Sequence, residues 1–142
     1  MQLQSHDFSH QGKIPVQLTC DGEDVSPHLQ WSGAPVQTKS FALSCLDPDA
    51  PAGTWAHWLI VSIPASVTEI PQGKSAGKEV VNDFGYSHYG GPCPPSGQHR
   101  YFFTVYALDV EELDGVRRGN FMEKVKGHTV DTAELMGSYQ RI

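Results

Sequence analysis

Four runs of apolar and β-branched residues constrain this 142-residue chain more than any other feature. They span 14–20 (IPVQLTC), 40–46 (SFALSCL), 57–63 (HWLIVSI) and 100–108 (RYFFTVYAL), each of strand length and each bounded by Gly, Pro, Asp or Ser. The second and fourth alternate, with Phe41, Leu43 and Cys45 on one face and Tyr101, Phe103, Val105 and Ala107 on one face. Sheets with one buried face follow. Composition agrees, because charged residues are only 18% and the chain carries 14 Gly and 10 Pro, which favours a loop-rich β protein over a helical bundle. The length fits one domain spanning 1–142.

The segments around these runs differ in character. Between the third and fourth runs lies a long stretch, 64–99, in which residues 85–97 include seven Gly or Pro; loops of that length in compact domains are usually functional or disordered. Its aromatics, Phe84, Tyr86 and Tyr89, favour an ordered, packed loop, and Pro92, Pro94 and Pro95 allow a cis peptide. After Asp109 the pattern becomes helical: Asn120 and Glu123 have the form of a capping box and Gly127 is placed to stop that helix. A second helix is predicted over Thr129–Met136, ending at Gly137. Strands first and short helices last point to a mainly β, α+β architecture.

Charge and apolar content exclude two classes of partner. Ten Lys and Arg against sixteen Asp and Glu give a net charge of −6, whereas nucleic-acid binders carry basic stripes that displace counterions from phosphates. The most apolar stretch, Trp55 to Ala65, is interrupted by His57 and Ser62 and is far shorter than the ~20 residues that span a bilayer. No basic and apolar leader precedes residue 14, so the expectation is a cytoplasmic chain. Cys20, Cys45 and Cys93 are odd in number and lack metal-ligand spacing, so they read as reduced thiols; an exported chain would allow one bridged pair.

The chemistry-bearing residues gather at strand ends. DPDAP (47–51) closes the second run and sets Asp47 and Asp49 two apart across Pro48, so that both carboxylates are expected to point into one cavity. His57 opens the third run, with Trp55 sharing a face. His99 and Tyr101 lie on one face of the fourth run and Arg100 on the other. Gly90, Gly91 and Gly97 surround Pro92 and Cys93 in the loop before it, and Cys93 reads as a small buried residue rather than a reactive thiol.

In combination these residues resemble the phosphatidylethanolamine-binding protein family, also called the Raf kinase inhibitor protein-like family. The blocks are DGEDVSPHLQW (21–31), DPDAP with HW (57–58), GPCPPSG (91–97) and HRYFFTVYALD (99–109), and the short DPDAP-to-HW spacing is similar to the bacterial and archaeal branch. The resemblance implies two packed antiparallel sheets with short C-terminal helices, and an anion pocket lined by Asp47, Asp49, Trp55, His57, Gly91, Pro92, His99 and Tyr101. Gly-loop N–H groups, imidazoles and a phenol can donate to phosphate oxygens, while aspartates orient imidazoles or meet an ammonium. The block 21–31 is expected to be structural, with Trp31 as anchor.

Three functions follow from this reading. The first is non-enzymatic binding of a small phosphate-bearing or other anionic group, such as a phosphorylethanolamine-like headgroup, with no cofactor or metal and strengthening below about pH 7. The second is a metal-dependent hydrolase using Asp47, Asp49, His57 and His99, although GxSxG and HExxH are missing. The third is a regulatory protein acting through a protein partner, as some animal relatives are thought to inhibit kinases or proteases. Larger eukaryotic relatives continue past the SYQRI end with a helix beside the pocket. An open pocket and a homodimer are therefore expected here, and burial of a lipid tail is not.

Overall fold

Three of the four apolar runs form the centre of one sheet. The computed structural model, which describes residues 1–141, contains strands β1 (Gln2–Gln4), β2 (Gly12–Lys13), β3 (Leu29–Ser32), β4 (Ser40–Asp47), β5 (Trp55–Pro64), β6 (Glu69–Ile70), β7 (Lys78–Val80), β8 (Gln98–Leu108) and β9 (Thr129–Gln140), with helix α1 (Phe121–Lys126) before β9. The large sheet runs β2-β9-β8-β4-β5-β7 and the small one β1-β3-β6. All pairings are antiparallel except that of β2 with β9, which is parallel.

Period-two geometry divides the large sheet into two apolar faces. Phe41, Leu43, Cys45, Trp58, Ile60, Tyr101, Phe103 and Val105 pack against Leu3, Leu29, Trp31 and Ile70 of the small sheet. The opposite face, with Ala42, Leu59, Val61, Tyr106 and Leu108, is covered by Leu113, Phe121 and Val125. Helix α1 is thus held by its Phe121 and Val125 stripe, which buries about 1.5–3 kcal/mol per side chain. The Asn120 side chain does not close a capping box: its Oδ1 accepts from Arg117 N–H at 2.7 Å and its Nδ2 donates to Gly115 O at 3.1 Å. Those bonds fix the preceding turn instead.

Two expected elements are corrected. The run 14–20 is not a strand, because Pro15 cannot donate to a ladder and instead opens a single 3-10 turn, Val16–Leu18, closed by Leu18 N–H to Pro15 O at 3.0 Å and Thr19 N–H to Val16 O at 3.0 Å. Thr129–Met136 is not a second helix but most of β9, which pairs with β8 from Thr129 opposite Leu108 to Gln140 opposite Gln98. The eleven residues of β8 would otherwise leave an edge of unpaired N–H and C=O groups. Ala133 and Leu135 turn inward while Thr132 and Glu134 face solvent. Gly137 is therefore no helix stop. It permits close approach of the N-terminal segment, since a Cβ there would lie 2.5 Å from Ile14 Cγ1 and 2.8 Å from Phe8 Cε2. No cis peptide occurs among the described residues.

The cysteine expectation is corrected as well. Cys20 and Cys93 are joined in a disulfide, across 73 residues of sequence, and only Cys45 is free, buried in the core. Gly137→Val should drive Phe8 and Ile14 outward and lower the unfolding free energy by about 1–3 kcal/mol, read as a reduced urea midpoint; an unchanged midpoint would contradict the close packing of β2 on β9.

Candidate functional site

The sheet order makes β5, β4 and β8 neighbours, and antiparallel pairing brings the end of β4 beside the starts of β5 and β8. Asp47, His57 and His99 consequently meet at one sheet end. A β-bulge completes this: Cys45 pairs with Trp58 while Leu46 pairs with Ala56, so His57 is the extra residue between them. Simple alternation would send His57 toward the α1 side. The bulge instead sets it on the same side as Trp58, edge-on to Tyr101 with ring centroids 5.2 Å apart.

Both imidazoles are fixed through Nδ1. His57 Nδ1–H donates to Gly90 O at 2.6 Å, and His99 Nδ1–H donates to Asp47 Oδ2 at 2.6 Å. A carbonyl and a carboxylate accept only, so Nδ1 carries the proton on each ring and Nε2 is the atom left for a ligand. Asp47 is 3% exposed and its second oxygen accepts Asp49 N–H at 2.8 Å. Asp47 is thus fully engaged as the group that orients His99. His57 is held further by Asn82, whose buried amide donates to His57 O at 2.9 Å and to His88 O at 2.8 Å, tying β5 to the 82–88 turn.

A cavity of about 190 Å³ opens here, lined by Asp47, Ala50, Pro51, Trp55, His57, Phe84, Cys93, Pro94, Pro95, His99 and Tyr101. Two residues of this lining carry a buried polar atom without a partner, the Tyr101 hydroxyl and Trp55 Nε1; Trp31 Nε1 and Thr38 Oγ1 are the same elsewhere in the fold. An unmet buried donor costs about 1–3 kcal/mol, which an acceptor that reached it would relieve. Burial also pushes the Tyr101 phenol far above its ordinary range, and the Asp47 carboxylate adds to that; it remains a protonated donor. Burial lowers the His57 pKa, against the smaller opposing effects of Gly90 O and Asp47.

Of the eight residues singled out in the sequence, five line this cavity: Asp47, Trp55, His57, His99 and Tyr101. The two carboxylates do not share it. Asp49 turns to the other face of β8, where Arg100 Nε and Nη2 grip it at 2.9 and 2.8 Å and Arg100 N–H adds a third bond at 2.9 Å. The guanidinium lowers the Asp49 pKa to about 2. Gly91 and Pro92 stand behind the wall: Gly91 N–H donates to Asp24 Oδ1 at 2.8 Å and Pro92 O accepts Cys20 N–H at 3.1 Å. Asp24, in the block expected to be purely structural, therefore supports the wall. Phe84, Ala50, Pro51, Pro94 and Pro95 were not among the expected pocket residues; they supply apolar walls, and only the unusual aromatic content of the long loop hints at Phe84. His88 stacks on Tyr86 at 3.9 Å and lines a different cavity, of about 290 Å³.

A mainly β fold of two packed sheets, with a small imidazole- and phenol-lined cavity at the ends of its central strands, is the class of protein defined by these features. The chain belongs to the phosphatidylethanolamine-binding protein family, whose sequence model matches residues 4–140. A protein of the UPF0098 group from Methanothermobacter thermautotrophicus is 45% identical, over 99% of this chain and 99% of its own. The crystal structure of a phosphatidylethanolamine-binding protein homologue from Chlamydia trachomatis matches with a TM-score of 0.93 at 38% identity, covering 99% of this chain and 97% of that one. Escherichia coli YbcL, described as a new member of the mammalian family, matches with a TM-score of 0.93 at 33% identity, covering 99% and 98%. No helix among the described residues is long and apolar enough to cross a membrane.

The lowered His57 pKa has a testable linkage. The unfolded chain protonates this ring near pH 6.5, before the folded chain does, so its contribution favours the fold above that pH and is lost as pH falls through the unfolded and then the folded value. His57→Gln should flatten the fall in stability between about pH 7.5 and 5.5, measured by urea unfolding; parallel curves for the two proteins would contradict the burial argument.

Proposed function

We propose that the cavity binds a small phosphate-bearing or other anionic group, without chemical turnover. The observation that carries this reading is the pair of unmet donors, Tyr101 OH and Trp55 Nε1, on two residues that line the same cavity as His57 and His99. An anion's oxygens would satisfy both. At about 190 Å³ the cavity is below the ~300–1,000 Å³ that enclose drug-sized ligands, which favours a headgroup-sized ion over a lipid with its chains. The names of the relatives agree with a phosphorylethanolamine-like group, and the apolar Phe84 and Trp55 give a surface against which its short organic part could lie.

Protonation is part of the mechanism. With Nδ1–H committed on both rings, each Nε2 is a lone pair when neutral and repels an anion, whereas the imidazolium donates a charge-assisted bond. Binding should therefore draw protons onto His57 and His99. Cytoplasmic action and a second copy of the chain over the open mouth belong to the same proposal.

A metal-dependent hydrolase is the second reading. It is favoured by the same anchored rings, because an imidazole with Nδ1–H on a carboxylate or carbonyl and Nε2 free is how histidines are presented to metals. Against it, Asp47 is committed to His99 and Asp49 to Arg100, and no three His, Cys, Asp or Glu converge among the described residues, whereas catalytic zinc sites use three protein ligands.

The test follows histidine ring signals by NMR during separate additions of O-phosphorylethanolamine, sulfate and Zn²⁺, in wild type, His57→Gln and His99→Gln. Sulfate keeps its charge over this range, so its affinity should rise at least about tenfold from about pH 7.5 to 5.5, the signature of proton uptake. Each substitution should abolish saturable shifts with either anion. Affinity independent of pH, or tight Zn²⁺ binding with no anion response, would overturn the anion reading.

A further inference from the structure

The Cys20–Cys93 bridge is the covalent tie in the cavity wall, and anion binding by itself leaves it without a role. Of the two cysteines only Cys93 lines the cavity. Both are partly exposed, unlike Cys45, which is sealed in the core. A disulfide with one half facing a ligand cavity and partial access to solvent is chemically available. Structural bridges that resist reduction are usually shielded.

Opening this bridge would not release the wall. Cys20 N–H to Pro92 O at 3.1 Å, Gly91 N–H to Asp24 Oδ1 at 2.8 Å and Tyr89 OH to Leu18 O at 2.8 Å all join the same two segments. The cavity would keep its shape around a newly modified Cys93. Asp47, the one carboxylate on the cavity lining, is committed through both oxygens, to His99 Nδ1–H and Asp49 N–H. The groups that remain to meet a ligand beside Cys93 are thus His57, His99, Tyr101 OH and Trp55 Nε1, all donors or potential cations.

From this juxtaposition we propose that Cys93 is a thiol-exchange site for small anionic thiols, whose acidic group is held by the cavity donors while the thiolate attacks Cys93 Sγ. The step is a simple exchange. A new S–S bond forms between the incoming sulfur and Cys93, the Cys93–Cys20 bond breaks, and the electron pair leaves on Cys20 Sγ, which takes a proton from water. One disulfide is consumed and one is made, so no external oxidant or reductant enters. A mixed disulfide then occupies the cavity, and attack by Cys20 on Cys93 expels it and restores the bridge. The inference rests on the anion reading above and adds the ligand's second functional group. It also fits cytoplasmic action, where bridges that do form are usually transient and redox-active.

The test compares reduction of the bridged full-length chain by 2-mercaptoethanesulfonate and by 2-mercaptoethanol, with rates expressed per thiolate. The sulfonate should react at least about tenfold faster, as positioning of a bound reactant requires. Saturating sulfate should remove that advantage, as should His99→Gln and His57→Gln. Peptide mapping after acid quenching should find the adduct on Cys93. Equal rates per thiolate, an advantage that survives saturating sulfate, or an adduct on Cys20 would each overturn the proposal. Sulfate binding followed in parallel separates the two readings: binding without a rate advantage defeats the exchange site alone, and absence of both defeats the anion cavity as well.

Discussion

The adjacency of β5, β4 and β8 is the constraint on which the rest depends. Backbone hydrogen bonds, which any sequence in this sheet order would make, set the ends of three strands side by side, and side chains from far apart in sequence become neighbours. The apolar alternation of β4 and β8 then locks the register, because a slip of one residue would turn Phe41, Leu43, Tyr101 and Phe103 to the wrong face. Site geometry is inherited from core packing. That is why Asp47 and His99 can hold a 2.6 Å bond at positions 52 residues apart.

Around that frame, the site is built from groups already satisfied and groups left wanting. Asp47, Asn82 and Gly90 spend their hydrogen-bonding capacity on holding other parts of the site, and Asp24 holds Gly91 from behind the wall. What remains is a set of donors without acceptors. Of the four buried side-chain atoms without a partner among the described residues, Tyr101 OH and Trp55 Nε1 belong to residues of the cavity lining, and the proposed anion is the acceptor that suits them. The two histidines make that chemistry conditional on protons.

Much of this was legible in the sequence, and the limits have physical causes. The central strands were readable because alternation reports directly on which face is buried. His99 and Tyr101 on one face with Arg100 on the other follows from the same rule, and it carries the fate of Asp49, which pairs with Arg100 outside the cavity. The bulge at His57 was not readable, since an extra residue in a strand leaves no mark in composition. Strand β9 was misread as a helix because TVDTAELM satisfies helical spacing locally, and only the need to pair the edge of β8 decides otherwise. The bridge was hidden by arithmetic: an odd count of cysteines looked unpaired, although it consists of one pair and one core thiol.

The central claim is that an anion enters this cavity together with protons on its two histidines. Isothermal titration of sulfate near pH 7.5, repeated in buffers of different ionisation enthalpy, measures proton uptake on binding directly. The account predicts uptake of about one to two protons per sulfate bound, and no saturable binding heat in His57→Gln or His99→Gln. Saturable binding with no proton uptake would contradict it.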